Sequence, residues 1–375
     1  MTDTLRIPFQ DLRQTDPVLI RALEEAAVGV IRSGRYINGE NVSLFEQELA
    51  AASHTEHAVA TSTGLDALRL ILRAYIAIGR LRPGDEVVIP ANTFIATFLA
   101  VTDAGLRPVA AEPDPITFGL DFRKLPVTSR TRAVIPVHLY GTPCWDAQAC
   151  DTLHQKDILI IEDNAQAIGA EAHCPGLHDS RTTGSLGDAA AVSFYPAKNI
   201  GALGDACAVT TSDPVLAKTI RELANYGGLE KYSHRICGYN CRMDEIQAAM
   251  LRVKLPLLQQ INNQRRHTAS IYDTLINNPR VLKPAILTDR IQVWHQYVVR
   301  CEHRDQLRQY LQSQGIGTEI HYALPAHLQP CYRESMSAIH LPTAEQMAKT
   351  ILSLPIACVS DDEAAAVAHA INEFK

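Results

Sequence analysis

Along the first two thirds of the chain the apolar positions follow two alternating rhythms. Short runs rich in β-branched and small apolar residues recur at HAVATS (57–62), EVVIP (86–90), RPVAAE (107–112), AVIPVHL (133–139), ILIIED (158–163), AAVSFY (190–195) and ACAVTT (206–211). Between several of them the spacing becomes that of amphipathic helices, as in LDALRLILRAYIAIG and WDAQACDTLHQ. Strand–helix alternation predicts a mainly parallel sheet with helices on both faces. Near-continuous apolar strands such as ILII agree, since both their faces would be covered.

The pattern changes at both ends. DPVLIRALEEAAVGVIRSG predicts a helix capped by Asp16, with Pro17 at its first position and Gly34 ending it. From Arg242 a long helical stretch, RMDEIQAAMLRVKLPLLQQINNQRRHTASIYDTLI, is expected to bend at Pro256. A smaller α/β unit follows: strand VWHQYVVR, helix HRDQLRQYLQSQG, strand TEIHY and closing helices through DDEAAAVAHAINEF. The expected division is a large α/β domain over 1–250 and a small one over 251–375. No internal repeat or low-complexity linker separates them.

Composition narrows the class without naming it. The 375 residues are 46% apolar and 20% charged, as in a soluble globular protein. The start, MTDTLRIPFQDLRQTD, carries charges throughout and no apolar core, and no uncharged run could cross a bilayer, so a cytoplasmic protein is expected. A net charge of −6 and 6% aromatic residues argue against a general nucleic-acid or anionic-membrane binder. The nine cysteines are scattered, as reduced thiols would be. His234 with Cys237 and Cys241, or His173 with Cys174 and His178, lack a second ligand pair at zinc spacing, so no metal is expected.

Candidate chemistry enters with SFYPAKNIGALGDA (193–206), which sets one lysine among small and apolar residues. In open parallel sheets, ligands bind beyond the carboxyl ends of strands. Asp163 closes ILIIED, Thr61 to Thr63 end HAVATS with Gly64 opening the next helix, and Ser193 lies near the end of AAVSFY. A helix start binds anions, a strand-end carboxylate holds a protonated ring nitrogen, and a desolvated lysine becomes a neutral nucleophile able to form a Schiff base. Amine, carboxylate and phosphate cradle together meet the requirements of pyridoxal 5′-phosphate.

These residues stand in longer motifs: SGRYINGENVSLFEQELA, STGLDALRLILRAY, PGDEVVIPANTFIAT, AEPDPITFGLD, IPVHLYGTP, IEDNAQAIGA, GSLGDAAAVSFYPAKNIGALGD and GYNCRMDEIQAAMLRVKL. Through them the chain resembles the DegT/DnrJ/EryC1/StrS nucleotide-sugar aminotransferases, pyridoxal-phosphate enzymes of the aspartate aminotransferase fold (fold type I). The implied architecture is a large domain with a mainly parallel seven-stranded sheet and a small C-terminal α/β domain. GLDAL, EPDP, HLYG, FYPAKNIGALGD and IGTEIHYALPAHLQ resemble the members that aminate C3 of dTDP-3-keto-6-deoxyhexoses to dTDP-3-amino-3,6-dideoxy sugars. A C4 aminotransferase acting on a UDP- or dTDP-4-keto sugar is the alternative, and a non-catalytic regulatory protein on the same fold a more remote one.

Position by position, the resemblance makes Lys198 the lysine that binds the cofactor and moves the proton, and Asp163 the carboxylate on its ring nitrogen. Gln166 falls near the ring hydroxyl, Gly64 and Leu65 give amides to the phosphate, Ser193 gives it a hydroxyl, and Phe94 stacks on the ring. Asn240 matches an asparagine that reaches the phosphate of the neighbouring subunit, implying a homodimer, and L-glutamate is the implied amino donor. Leu65 replaces a frequent threonine, Ala206 and Cys207 stand where glycines are usual, and Asn164 replaces a common alanine. For the nucleotide-linked keto sugar, Tyr36, Lys231, Tyr232, His321, Tyr322 and His327 are candidates. Tyr36 reads equally as a packed aromatic after a helix end, and Lys231 and Tyr232 as part of a solvated polar run; His138 is a further candidate substrate contact that reads equally as a buried histidine capping a strand end.

Overall fold

The structure, a computed structural model, describes residues 6–13, 16–173, 180–230 and 232–375. Its first helix, Pro17–Ser33, has the expected signals: Asp16 accepts a hydrogen bond from the Val18 amide, and Gly34 ends it at φ 66°. The helix Gly64–Ala77 starts at Thr63, whose hydroxyl accepts from the Asp66 amide at 3.1 Å. Such caps satisfy amides that the first turn cannot pair internally.

Seven strands form the central sheet in the spatial order His57–Thr61, Cys207–Thr211, Ala189–Ser193, Leu159–Asp163, Thr131–Val134, Glu86–Pro90, Arg107–Ala111. Only Cys207–Thr211 runs against the rest. Because side chains alternate along a strand, Leu159 and Ile161 enter the core under the helix Gly64–Ala77, while Ile160 enters a core on the opposite face. The same period places Ala191 and Ser193 towards one face and Val192 and Phe194 towards the other. There Phe194 meets Phe45 edge-on at 5.3 Å. The period of two thus aims Asp163 and Ser193 the same way at the carboxyl end of the sheet.

The expected strand AVIPVHL stops at Val134. Pro136 has no amide to donate, and the chain curls through Leu139–Gly141 with Tyr140 at φ 60°. Gly141 is required here: at φ +90°, an added Cβ would lie 2.7 Å from the His295 amide nitrogen.

The helical stretch after Arg242 is broken as expected into Glu245–Lys254, a 3₁₀ turn Leu255–Leu257 containing Pro256, and Leu258–Leu275. Ala248 and Leu251 of the first segment still pack into the core below the large sheet. A separate core gathers Ala269, Tyr272, Leu307, Leu311, Leu352 and Ile371, joined by Ile7 from the N-terminal region. Its sheet is antiparallel, Val281–Leu282, Tyr297–Cys301 and Ile351–Leu354. VWHQYVVR becomes strand only from Tyr297, because Trp294 turns the chain at φ 46°. TEIHY keeps a single bridge, Glu319 to Ser353, and ILSL supplies the strand instead.

Candidate active site

A cavity of about 610 Å³ opens at the carboxyl ends of the parallel strands. Its wall brings together Gly64, Leu65, Phe94, Asp163, Gln166, Ser193, Lys198 and Tyr322, which the sequence scatters over more than 250 positions.

Lys198 stands on the loop that leaves the sheet after Ser193 and re-enters it at Cys207. Its amide donates to Tyr195 O at 2.8 Å, and Gln10 Nε2 holds the Ala197 carbonyl at 3.0 Å. Burial lowers the amine from 10.5 to about 8, against the opposing pull of Asp163 and Cys207. An amine with that value is a neutral nucleophile for an appreciable fraction of the time at neutral pH.

Asp163 is buried at the strand end. Oδ2 accepts from Thr97 Oγ1 at 2.8 Å and Oδ1 from the Ala165 amide at 3.2 Å. Thr93, four residues earlier and just before the helix Ile95–Asp103, lies 2.9 Å behind Thr97. A carboxylate restrained in this way can hold a cationic partner in a fixed direction. Gln166 is clamped between the Tyr140 amide, which donates to Oε1 at 2.6 Å, and the Tyr322 hydroxyl, 3.2 Å from Nε2.

The start of Gly64–Ala77 faces Ser193. A Cβ on Gly64 would lie 3.7 Å from Ser193 Cβ and 3.8 Å from its Oγ, so the glycine keeps open a cradle between helix start and hydroxyl. Amides of a first helical turn, their dipole and a serine hydroxyl suit a phosphate. Phe94 stands over the mouth, 53% exposed, with its ring 5.3 Å from that of Tyr322. Amine, restrained carboxylate and phosphate cradle therefore fit pyridoxal phosphate.

Other candidates lie elsewhere. His321 is behind Tyr322, with ring centroids 5.5 Å apart and Nδ1 2.8 Å from Ser353 Oγ; burial and Lys198 lower it to about 4. His327 is buried against Glu345 at 3.3 Å and does not line the cavity. Tyr36 and Tyr232 are exposed, 56% and 86%, and Asn240 is exposed beside its bridge partner Asn225. Lys231, Cys174 and His178 lie outside the described residues. His138 is wholly buried: Nδ1 accepts from the Cys144 amide at 2.9 Å, so Nε2 carries the proton and donates to Glu162 at 2.8 Å. Among the described residues no cluster of three or more His, Cys, Asp or Glu could hold a metal ion.

Two groups were not singled out from sequence. Thr93 and Thr97 carry an i, i+4 spacing in PANTFIAT that was a usable signal. Asn199 and His295 meet only in space: Asn199 Oδ1 accepts from His295 Nδ1 at 3.1 Å, while its Nδ2 reaches Asn262 at 2.7 Å and Val293 O at 3.1 Å. This buried chain braces the residue next to Lys198 against the helix Leu258–Leu275.

Fold and site define a pyridoxal-phosphate-dependent transferase of fold type I. Residues 19–372 match the model of the DegT/DnrJ/EryC1/StrS aminotransferase family, and the chain belongs to that family. It is 42% identical over 359 residues to a dTDP-3-amino-3,4,6-trideoxy-alpha-D-glucose transaminase of Streptomyces venezuelae, covering 94% of this chain and 92% of the relative. It is also 42% identical over 372 residues to a dTDP-3-amino-3,6-dideoxy-alpha-D-galactopyranose transaminase of Aneurinibacillus thermoaerophilus, covering 98% and 99%. The crystal structure of S. venezuelae DesV in complex with a ketimine intermediate superposes with a TM-score of 0.92, covering 99% of this chain and 98% of that one. The chain is a pyridoxal-phosphate-dependent aminotransferase.

Proposed function

We propose that the protein moves an amino group from L-glutamate to C3 of a dTDP-3-keto-6-deoxyhexose, giving a dTDP-3-amino-3,6-dideoxyhexose. The observation that carries this reading is 42% identity, over nearly the whole of both chains, to two transaminases of dTDP-3-amino sugars. When bound, pyridoxal phosphate supplies an electron sink that makes a C–H bond next to nitrogen acidic. Lys198 would tether it and would take and return that proton at Nζ. Asp163, held by Thr97, keeps a ring nitrogen protonated, and the Gly64–Ser193 cradle orients the phosphate.

The same reading has two copies of the chain share their sites, Asn240 of each reaching the phosphate of the other. Asn240 is exposed, with no side-chain hydrogen bond among the described residues, and Phe94, Tyr195 and Leu203 are 53%, 53% and 61% exposed. Apolar side chains left open in this way suit burial by a second copy. No helix of the described residues is long and apolar enough to cross a membrane.

The test is incubation with L-glutamate and a panel of dTDP-3-keto, dTDP-4-keto and UDP-4-keto sugars, with the aminated carbon located by NMR. Amination at C3 of a dTDP-6-deoxyhexose is the expected result. Amination at C4 overturns the positional assignment.

A further inference from the structure

One side chain joins the turn that opens the phosphate cradle to the segment carrying Asn240. Arg69 Nη2 donates to Asp66 Oδ1 at 2.5 Å and contacts the Cys241 sulfur at 3.4 Å. Nη1 reaches Asp103 Oδ2 at 2.7 Å, and the guanidinium carbon lies 4.4 Å from the centre of the Tyr239 ring. Asp66 passes the connection on: its Oδ2 accepts from Ser62 Oγ at 2.5 Å and its amide donates to Thr63. Ser62 and Thr63 directly precede Gly64 and Leu65 in the cavity wall.

On the other side, Tyr239 and Cys241 flank Asn240. Their amides are fixed to Leu223 O at 2.6 Å and Ala224 O at 3.0 Å, and Asn240 pairs with Asn225. The arginine therefore grips both neighbours of a residue whose own side chain is left outward. Its side chain is mostly covered, and its Nε is buried without a hydrogen-bond partner among the described residues, a cost that the bonds made by Nη1 and Nη2 must offset. Only a planar fork can meet Asp66, Asp103 and a thiol at its edge while stacking its face on an aromatic ring.

We propose that Arg69 is a positioning residue for two active sites at once, fixing the cofactor-phosphate turn of its own subunit and, through Tyr239 and Cys241, the Asn240 arm received by the partner. The inference rests on the shared-site reading above. Its consequence is that the phosphate ends of the two sites are built on one guanidinium, so loosening it weakens cofactor binding both within the chain and across the dimer.

Mixed dimers separate the two arms. In each, one subunit carries Lys198→Ala, so only the other shows the yellow absorbance of lysine-bound pyridoxal phosphate, and its dissociation constant is read by titration. In the first dimer Arg69→Met is on the lysine-bearing chain; in the second it is on the Lys198→Ala chain. The expected result is binding weakened by about fivefold in both, relative to the dimer without Arg69→Met, the size of one partly buried charged contact. Weakening in the first alone, or in neither, overturns the proposal.

Asn240→Ala on the Lys198→Ala chain tests the underlying reading separately. If it weakens binding while Arg69→Met on that chain does not, the Arg69 proposal falls and the shared site stands; if neither weakens binding, both fall. Should Arg69→Met not assemble, Arg69→Lys keeps the charge and loses the fork. Weaker binding in both arrangements of that variant supports the proposal, and unchanged binding in either overturns it.

Discussion

The Thr97 hydroxyl donates to Asp163 Oδ2 across 2.8 Å, and no other side chain among the described residues bonds that oxygen. The carboxylate proposed to face a ring nitrogen is therefore held on Oδ2 by one threonine, itself backed by Thr93 at 2.9 Å, while the Ala165 amide holds Oδ1 at 3.2 Å. Thr97→Val keeps the shape and removes the donor. Hydrogen bonds to charged groups are worth about 1.5–3 kcal/mol, so kcat/KM is expected to fall by about 10- to 100-fold. Thr97→Ser should recover most of it, and equal losses in both variants would rule out the aiming role.

Lys198 should capture pyridoxal phosphate with a pH profile of its own. With its folded value at about 8, the amine is protonated below that pH and neutral above it. At pH 7 the neutral fraction exceeds that of an ordinary lysine at 10.5 by about 300-fold. The rate at which apoprotein turns yellow should rise with pH and level off above about 8. A profile still climbing through pH 10 would contradict the buried amine.

Acid should destabilise the apoprotein through His295 and His321. Burial, then Lys198, Arg265 and His321, hold His295 well below its usual 6.5; burial and Lys198 hold His321 at about 4. Both folded values lie below the unfolded one, so the unfolded chain binds protons that the folded chain refuses. Stability is lost as pH falls from 6.5, with a slope of up to about 1.4 kcal/mol per pH unit for each histidine. Urea midpoints between pH 6.5 and 4.5 should fall less steeply in a His295→Asn, His321→Asn double variant. Parallel slopes would refute the assignment.

Glu162 and His138 should matter to the fold and not to the sugar. The Glu162 carboxylate accepts four hydrogen bonds, from His138 Nε2 at 2.8 Å and the amides of Gly184, Leu186 and Gly187 at 2.7, 2.8 and 2.9 Å. A glutamine would turn two donors against donors, so Glu162→Gln is expected to cost about 3 kcal/mol or more. His138→Ala should destabilise the chain while the sugar KM stays within about twofold, because the ring is wholly buried against Glu162 and, unlike its neighbours Val137 and Leu139, does not line the cavity. A large KM change without loss of stability would reinstate His138 as a sugar contact.

Much of the site was legible because strand ends and helix starts are local features. ILIIED announces a covered strand ending in a carboxylate, and Asp163 is found there; Thr63 and Gly64 announce a helix start, and it faces Ser193. What could not be read depends on distant chain. The strand is interrupted after Val134 at Pro136, pairing survives only as the bridge of Val137 to Asp163, and the left-handed Tyr140 then turns the backbone under Trp294 and His295, more than 150 residues away. TEIHY alternates like a strand, yet ILSL takes the place beside Tyr297–Cys301, and register against a partner is no property of either segment alone. The sugar candidates Tyr36 and Tyr232 stay outside the cavity of a single chain, and of the five candidates among the described residues only Tyr322 reaches its wall.

The one reversed strand of the sheet has a consequence for how the enzyme repeats its work. Cys207–Thr211 pairs directly with Ala189–Ser193, so the chain carrying Lys198 departs and returns between neighbouring rungs. If Lys198 tethers the cofactor as proposed, its amine is held on a closed strap at the wall of the cavity where the cofactor would sit. Re-attachment would then be an intramolecular step, its effective concentration set by the strap and not by free lysine in the cell. Lengthening that strap by even a few residues would turn a certain return into a search.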